Sequence, residues 1–216
     1  MKVNYRIYFW LVVLSVAVTC VFLALMPDTV PMHYNTAGAA DRFGSKYENL
    51  IFPLCVAGTA LIFAALAKNV RTKPLNEPLF FYIGLITLIF FNVMFTYFLW
   101  TALTYDDAAP IHADINRFST IAIGVTLVVL GNIMPKARRN SLFGLRTPWS
   151  MSSDAVWQKS QRFGGISSVA VGLLMCLLAA ALEGTAALLT STGLILVWVV
   201  LCMMVSWHYY RQEQKE

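Results

Sequence analysis

Six apolar segments, each long enough to cross a membrane, constrain the fold of this chain more than any other feature. A helix needs roughly 20 apolar residues to span about 30 Å of hydrocarbon. A backbone polar group left unpaired in lipid costs several kcal/mol, so each segment is expected to be helical. The sequence therefore predicts an all-α integral membrane protein with six transmembrane helices. The segments lie at residues 7–26, 50–67, 79–103, 118–134, 164–182 and 186–206.

The composition excludes a soluble domain and a secreted disulfide scaffold. Hydrophobic residues make up 58% of the chain and charged residues 12%, against about 45–50% and about 25% in soluble domains. All four cysteines fall inside apolar segments, which predicts free thiols rather than disulfides or metal ligands. They are Cys20, Cys55, Cys176 and Cys202.

The distribution of charge predicts the orientation. With the N-terminus inside, 13 of the 16 Lys and Arg residues fall on the cytoplasmic side, at the two termini, at 68–78 and at 135–163. Because positive loops are retained in the cytoplasm, both termini are expected there. The net charge of +5 then reflects topology, and no direct binding to nucleic acid is expected.

Three regions follow from this pattern. Residues 1–67 form a two-helix unit with an extracellular loop rich in Pro, His, Gly and Asp. Residues 68–117 hold the third transmembrane helix and its flanking loops. Residues 118–216 form a three-helix region with a basic cytoplasmic loop at 135–163. Function is sought in the two loops, because both are too long to be simple connections.

The outer loop contains the titratable residues. Its prolines predict extended chain followed by a turn at residues 35–38. His33 and Asp41 have the chemistry to bind a metal or move a proton. The favoured interpretation is a rigid lid in which they hydrogen-bond the loop to the bundle. His112 and Asp114 could add ligands, but no metal site and no cofactor are predicted.

The inner loop is basic. Pro135 ends the fourth span, and Lys136, Arg138 and Arg139 are expected at the lipid surface, where they would neutralise anionic headgroups. The guanidinium of Arg146 suits a carboxylate, a phosphate or an indole ring. A structural clamp and a docking site remain open for it.

The same loop predicts a short helix at 154–163, capped by Ser152 or Ser153 and broken by Gly164 and Gly165. Trp149 and Trp157 are expected at the membrane interface.

Catalytic signals in the sequence are poor. No ionisable residue lies at the centre of a span. The chain has no His-Glu-x-x-His, Gly-x-Ser-x-Gly or Cys-x-x-Cys motif and no phosphate-binding glycine loop. Asn92 and Asn132 are the polar exceptions, and each is expected to hydrogen-bond a neighbouring helix rather than line a substrate path. We therefore predict a protein that is not an enzyme.

Both loops resemble a known family. The inner series looks like the signature of the SdpI family of bacterial membrane immunity proteins. The outer loop resembles the small domain of unknown function that often precedes it, through Pro27, Asp28, Val30, Pro31, His33, Gly38 and Asp41. The inner series is Asn132, Pro135, Lys136, Asn140, Gly144, Arg146, Thr147, Pro148, Trp149, Trp157 and Arg162.

The resemblance implies a multi-pass protein of the bacterial inner membrane that protects the cell against a secreted toxic peptide. It also implies a signalling role, in which a cytoplasmic transcriptional repressor docks at the membrane. Many members carry a Thr-His pair where this chain has Ser160 and Gln161. The loss of a titrating group puts the signalling role in particular question.

The leading hypothesis is therefore an immunity protein with two working surfaces. The cytoplasmic signature residues, with Arg138 and Arg139, would face a repressor or anionic lipids. No oligomeric state is predicted. A small-molecule or lipid transporter and a metal-dependent membrane enzyme are the alternatives. The residues expected to face the toxin are Asp28, Pro31, His33, Gly38, Asp41, Trp100, Asp106, Asp107 and Asp114.

Overall fold

A computed structural model describes residues 4–68, 77–105 and 114–215. Within these ranges, six helices are long and apolar enough to cross a membrane, which confirms the predicted multi-pass membrane fold. The helices are α1 (Arg6–Leu25), α2 (Ile51–Lys68), α3 (Glu77–Leu103), α4 (Ile115–Ile133), α5 (Asp154–Ala181) and α6 (Gly184–Glu213).

The loop after α1 holds two short strands, β1 (Thr29–Tyr34) and β2 (Ala40–Ser45), followed by a 3-10 turn at Lys46–Leu50. The strands pair antiparallel, with Thr29 opposite Ser45. The sequence predicts extended chain and a turn here, but not this pairing. The turn is confirmed: the Asn35 side-chain oxygen accepts hydrogen bonds from the backbone N–H groups of Ala37 and Ala39, and Gly38 has a φ of +80°.

The tightest helix packing is between α4 and α5. A Cβ atom on Gly165 would lie 2.6 Å from the carbonyl oxygen of Gly131, and one on Gly124 would lie 2.8 Å from the carbonyl oxygen of Gly172. Small residues allow two backbones to approach closely, which is a common means of helix association in membranes.

The prediction that Gly164 and Gly165 break the helix is therefore wrong. Helix α5 runs without interruption from Asp154 to Ala181, and both glycines are buried. The missing side chain of Gly165 makes room for α4 and that of Gly164 for the side chain of Met134. The hydrocarbon setting also favours continuous backbone pairing. The predicted cap is confirmed, because the Ser153 hydroxyl oxygen accepts a hydrogen bond from the N–H of Val156 at 3.1 Å.

The prediction that Asn92 and Asn132 bond neighbouring helices is also wrong. Each side-chain amide donates to the carbonyl oxygen four residues earlier in its own helix, Asn92 to Leu88 and Asn132 to Val128. Such a bond satisfies a polar side chain within its own helix, so neither residue needs a partner on another helix.

The bundle has two polar ends. The hairpin end comprises β1, β2 and the adjoining starts of α4 and α6. The basic end comprises residues 134–154 and the adjoining parts of α5 and α6. At the basic end, buried Leu79, Phe80 and Ile83 of α3 form one cluster with Ala137 and Trp157. This cluster fixes the basic loop to the bundle.

Candidate functional site

His33 and Asp41 face each other across the hairpin. The Nδ1 atom of His33 lies 2.5 Å from an oxygen of Asp41, and both side chains are exposed. Beside them, Arg42 and Glu48 form an ion pair at 3.1 Å. The two predicted side chains therefore join strand to strand. The lid interpretation expects them to hydrogen-bond the loop to the bundle, and they do not.

The hairpin reaches the bundle through its tip. The carbonyl oxygen of Thr36 accepts hydrogen bonds from the side chains of Asn116 at 2.8 Å and Thr185 at 3.0 Å. These residues begin α4 and α6. Asn116 and Thr185 lie 80 and 149 residues from Thr36 in the chain, so no local pattern in the sequence points to this contact.

Asp114 has a structural role at the same end. One carboxylate oxygen caps α4 by accepting the N–H of Arg117 at 2.8 Å, and the other accepts the N–H of Gly184 at 2.7 Å. Both oxygens thus bind helix starts, as is typical of carboxylates at N-termini. Asp114 links α4 to α6.

The other predicted outer residues are spread over the hairpin end. Asp28 is exposed and forms an ion pair with Lys46 at 3.2 Å, whereas Pro31 is buried within β1 and Gly38 forms the turn. Trp100 lies on α3 beside a cavity of about 630 Å³ between α1, α3 and α4. Asp106, Asp107 and His112 fall outside the described residues.

Tyr34 ends β1 next to the bundle. Burial raises the pKa of its phenol above the usual value, and the hydroxyl of Thr101 offsets this in part.

Within the described ranges, no group of three or more His, Cys, Asp or Glu residues could hold a metal ion.

At the basic end, side chains rather than strands order the loop. The side-chain oxygen of Asn140 accepts the N–H groups of Leu142 and Phe143, and its amide donates to the carbonyl of Arg138. Gly144 follows with a φ of +106°, a conformation that glycine adopts without strain.

Gln161 of α5 binds the next residue of the loop at two points. Its oxygen accepts the N–H of Leu145 and its amide donates to the carbonyl of Leu145, both at 2.9 Å. Gln161 is fully buried, as is the neighbouring Ser160. At these two positions, many members of the family that the sequence resembles carry a Thr-His pair. The glutamine therefore takes a structural role that the sequence pattern does not reveal.

The loop is also fixed to α6. Thr147 and Ser150 bond each other's backbone, and the Thr147 hydroxyl meets that of Ser206 at 2.5 Å. The hydroxyl of Ser153 donates to the carboxylate of Glu213. The loop is thus a compact, hydrogen-bonded part of the fold.

Trp157 is buried, which corrects its predicted position at the membrane interface. Its indole N–H donates to the carbonyl oxygen of Ala137 at 2.7 Å, and the side chain is 1% exposed. Trp149 is half-buried and borders two surface cavities of the basic end. Burial of an indole with its N–H bonded anchors the start of the loop against α5.

The loop's cations divide into two groups. Arg139 pairs with Asp154 at 2.9 Å and donates to the carbonyl of Met151 at 3.1 Å, so it binds protein where lipid contact was expected. The five others are exposed and form no ion pair with any described residue, namely Lys136, Arg138, Arg146, Lys159 and Arg162. Asn132, Pro135 and Pro148 are exposed beside them.

Comparison with known proteins finds two families whose models match parts of the chain. Residues 136–207 match the SdpI/YfhL protein family, and residues 10–57 match a domain of unknown function, DUF1648. The match to the SdpI/YfhL family covers one third of the chain. The first match contains most of the basic loop, and the second contains the whole hairpin.

One curated relative is similar along almost the whole chain. The immunity protein SdpI of Bacillus subtilis (strain 168) is 25% identical over 202 residues, which cover 94% of this chain and 93% of that protein. No solved structure matches.

Proposed function

We propose that this chain is an immunity protein of the bacterial inner membrane that protects the cell against a secreted toxic peptide without catalysing a reaction. The similarity to an immunity protein over 94% of the chain carries this proposal. The similar region includes both ends of the bundle, which supports a function that uses both ends.

The hairpin end would face the exterior and meet the peptide. The carboxylates of Asp28, Asp41 and Glu183 are exposed there, and they would attract a cationic partner. Trp100 and the neighbouring cavity offer apolar surface within the same end. A cationic amphipathic peptide has the complementary chemistry.

The basic end would face the cytoplasm, as the distribution of positive charge favours. Lys136 and Arg138 border a cavity of about 400 Å³ with Arg139 and Asp154. An acidic surface on a transcriptional repressor would complement the exposed cations. The rigid hydrogen-bonded loop would present them in one arrangement.

The test is survival against envelope-active peptides. A deletion strain should lose protection, and the wild-type gene should restore it. Asp41→Lys should restore less, because it reverses a charge of the hairpin end, whereas Gln214→Lys adds a positive charge at the other end and should protect normally. Membrane fractionation verifies that each variant is inserted.

Equal survival of the deletion and complemented strains would overturn the immunity proposal and favour the transport or lipid-handling alternative. Repressor docking is tested separately with the pair Lys136→Glu and Arg138→Glu. This double variant should protect the cell but no longer hold the repressor in the membrane fraction. Retention equal to wild type would contradict docking at these cations.

A further inference from the structure

One of the two cavities that Trp149 borders at the basic end has no part in the proposed function. It has a volume of about 700 Å³, within the range of sites that hold a small molecule. Its walls come from α4 (Leu127, Leu130), the loop (Phe143, Leu145) and α6 (Val199, Met203). Val199 and Met203 are 42% and 45% exposed, so the cavity opens sideways, toward the lipid.

The polar groups in the wall are already bonded to protein. The hydroxyl of Ser168 donates to the carbonyl of Leu127 at 2.9 Å, and the indole N–H of Trp198 donates to Ser167 at 2.9 Å. The hydroxyl of Thr147 bonds Ser206. The interior is therefore apolar in practice and suits a hydrocarbon chain rather than a polar solute.

Arg146 is the one charged residue among the described residues that line this cavity. No Asp or Glu is among the lining residues, and Arg146 forms no ion pair with a described residue. A guanidinium binds phosphate through two parallel hydrogen bonds. The cavity thus combines an apolar interior with an unpaired cation, which is the complement of an anionic amphiphile.

The position of Arg146 agrees with a headgroup site. Its neighbour Thr147 contacts Ser206, and α6 continues from there for seven residues to Glu213. At 1.5 Å per residue, this places Arg146 about 10 Å from the polar end of α6. Leu127 and Leu130 lie deeper along α4. A lipid could therefore place its phosphate at Arg146 and an acyl chain against these leucines.

We propose that this cavity binds one anionic phospholipid, with the phosphate on Arg146 and an acyl chain in the apolar interior. The bilayer that surrounds the protein supplies this ligand. The site does not depend on a toxic peptide or a repressor, so its test is independent of the immunity proposal.

The first experiment is native mass spectrometry of the full chain in detergent, titrated with phosphatidylglycerol. We expect one molecule to remain bound at low lipid excess. Diacylglycerol, which has the chains but no phosphate, should bind at least about tenfold more weakly, since hydrogen bonds to charged groups contribute this much or more. Inorganic phosphate should not compete, because it lacks the chains.

Variants locate the site. Arg146→Gln should weaken phosphatidylglycerol binding about tenfold, whereas Lys159→Gln removes an exposed cation of the basic end that does not line the cavity and should bind normally. Equal affinity of Arg146→Gln and wild type would overturn the proposal. An equal loss in both variants would also overturn it, since it would show diffuse attraction to the basic surface.

A second pair of variants tests the chain-binding part without changing charge. Val199→Phe should fill the cavity and lower retention of the lipid severalfold. Val197→Phe adds the same ring to an exposed position of α6 outside the cavity and should have no effect. Thermal unfolding in detergent verifies that both variants fold. Unchanged retention in a folded Val199→Phe variant would contradict occupation of the cavity.

Discussion

The two ends of the bundle are ordered by different kinds of contact. At the hairpin end, strand pairing and contacts between exposed side chains predominate, such as His33 with Asp41 and Arg42 with Glu48. At the basic end, buried side chains bond the backbone of the loop, as Gln161 and Trp157 do. Exposed ion pairs contribute little to stability, whereas a buried polar group that loses its partner is costly.

The loop of the basic end should therefore contribute mainly to the stability of the fold, and the hairpin mainly to recognition of a partner. Substitutions in the loop of the basic end should lower the free energy of unfolding, because they leave buried groups unpaired. Substitutions of the exposed side chains of the hairpin should leave the fold almost unchanged and alter the surface that meets a partner. The predictions below test this division, beginning with the largest expected effect.

Gln161→Leu should be the most destabilising of these changes. It leaves the N–H of Leu145 without its partner and removes one of the two hydrogen bonds to the Leu145 carbonyl, which keeps the bond from the Ser150 hydroxyl at 2.8 Å. The cost should be about 2–4 kcal/mol, for one unsatisfied group and one further lost bond. The measurement is thermal unfolding in detergent. Gln158→Leu, at an exposed position in the same helix, is the control and should change stability by less than about 0.5 kcal/mol. Equal midpoints for the two variants would contradict the role given to Gln161.

Gly165→Ala should cost about 1–3 kcal/mol, as overpacking does in a tight interior. The added Cβ would lie 2.6 Å from a backbone oxygen of α4, which has little room to move. Gly193→Ala is the matched control, because nothing lies within 4 Å of its Cβ position. There the alanine should be neutral or stabilise α6 by up to about 1 kcal/mol. A tolerated alanine at position 165 would show that α4 and α5 can separate locally.

Trp157→Phe should cost about 1–2 kcal/mol. The ring is kept in the cluster with Ala137, but the indole hydrogen bond to the carbonyl oxygen is lost. Trp207→Phe replaces an exposed indole at the same end and should be close to neutral. Denaturant unfolding of both variants measures the difference. A Trp157→Phe variant as stable as Trp207→Phe would mean that water replaces the bond.

The sequence predicts those features that depend on local pattern. Uniform apolar segments predict the six helices, Ser153 the start of α5, and Asn35 with Gly38 the hairpin turn. The contacts that order the loops join distant residues, such as Gln161 with Leu145 and Thr36 with Thr185. Single-sequence periodicity contains no information on such pairs. For the same reason it misplaced Trp157 and took two packing glycines for a helix end.

The smallest effect on stability is expected for the His33–Asp41 pair. Both side chains are exposed, at 62% and 42%, so a double-mutant cycle with His33→Ala and Asp41→Ala should give a coupling energy below about 1 kcal/mol. The same variants should nevertheless lower protection in the survival assay, because they alter the surface proposed to meet the peptide.

The double-mutant cycle also tests whether the two ends differ in how firmly their loops are held. A coupling energy above about 2 kcal/mol would mean that the pair holds the hairpin together as firmly as Gln161 holds the basic loop. Loss of protection in these variants would then follow from an unfolded hairpin. A coupling energy below about 1 kcal/mol together with lost protection would mean that the exposed pair acts on the partner and not on the fold.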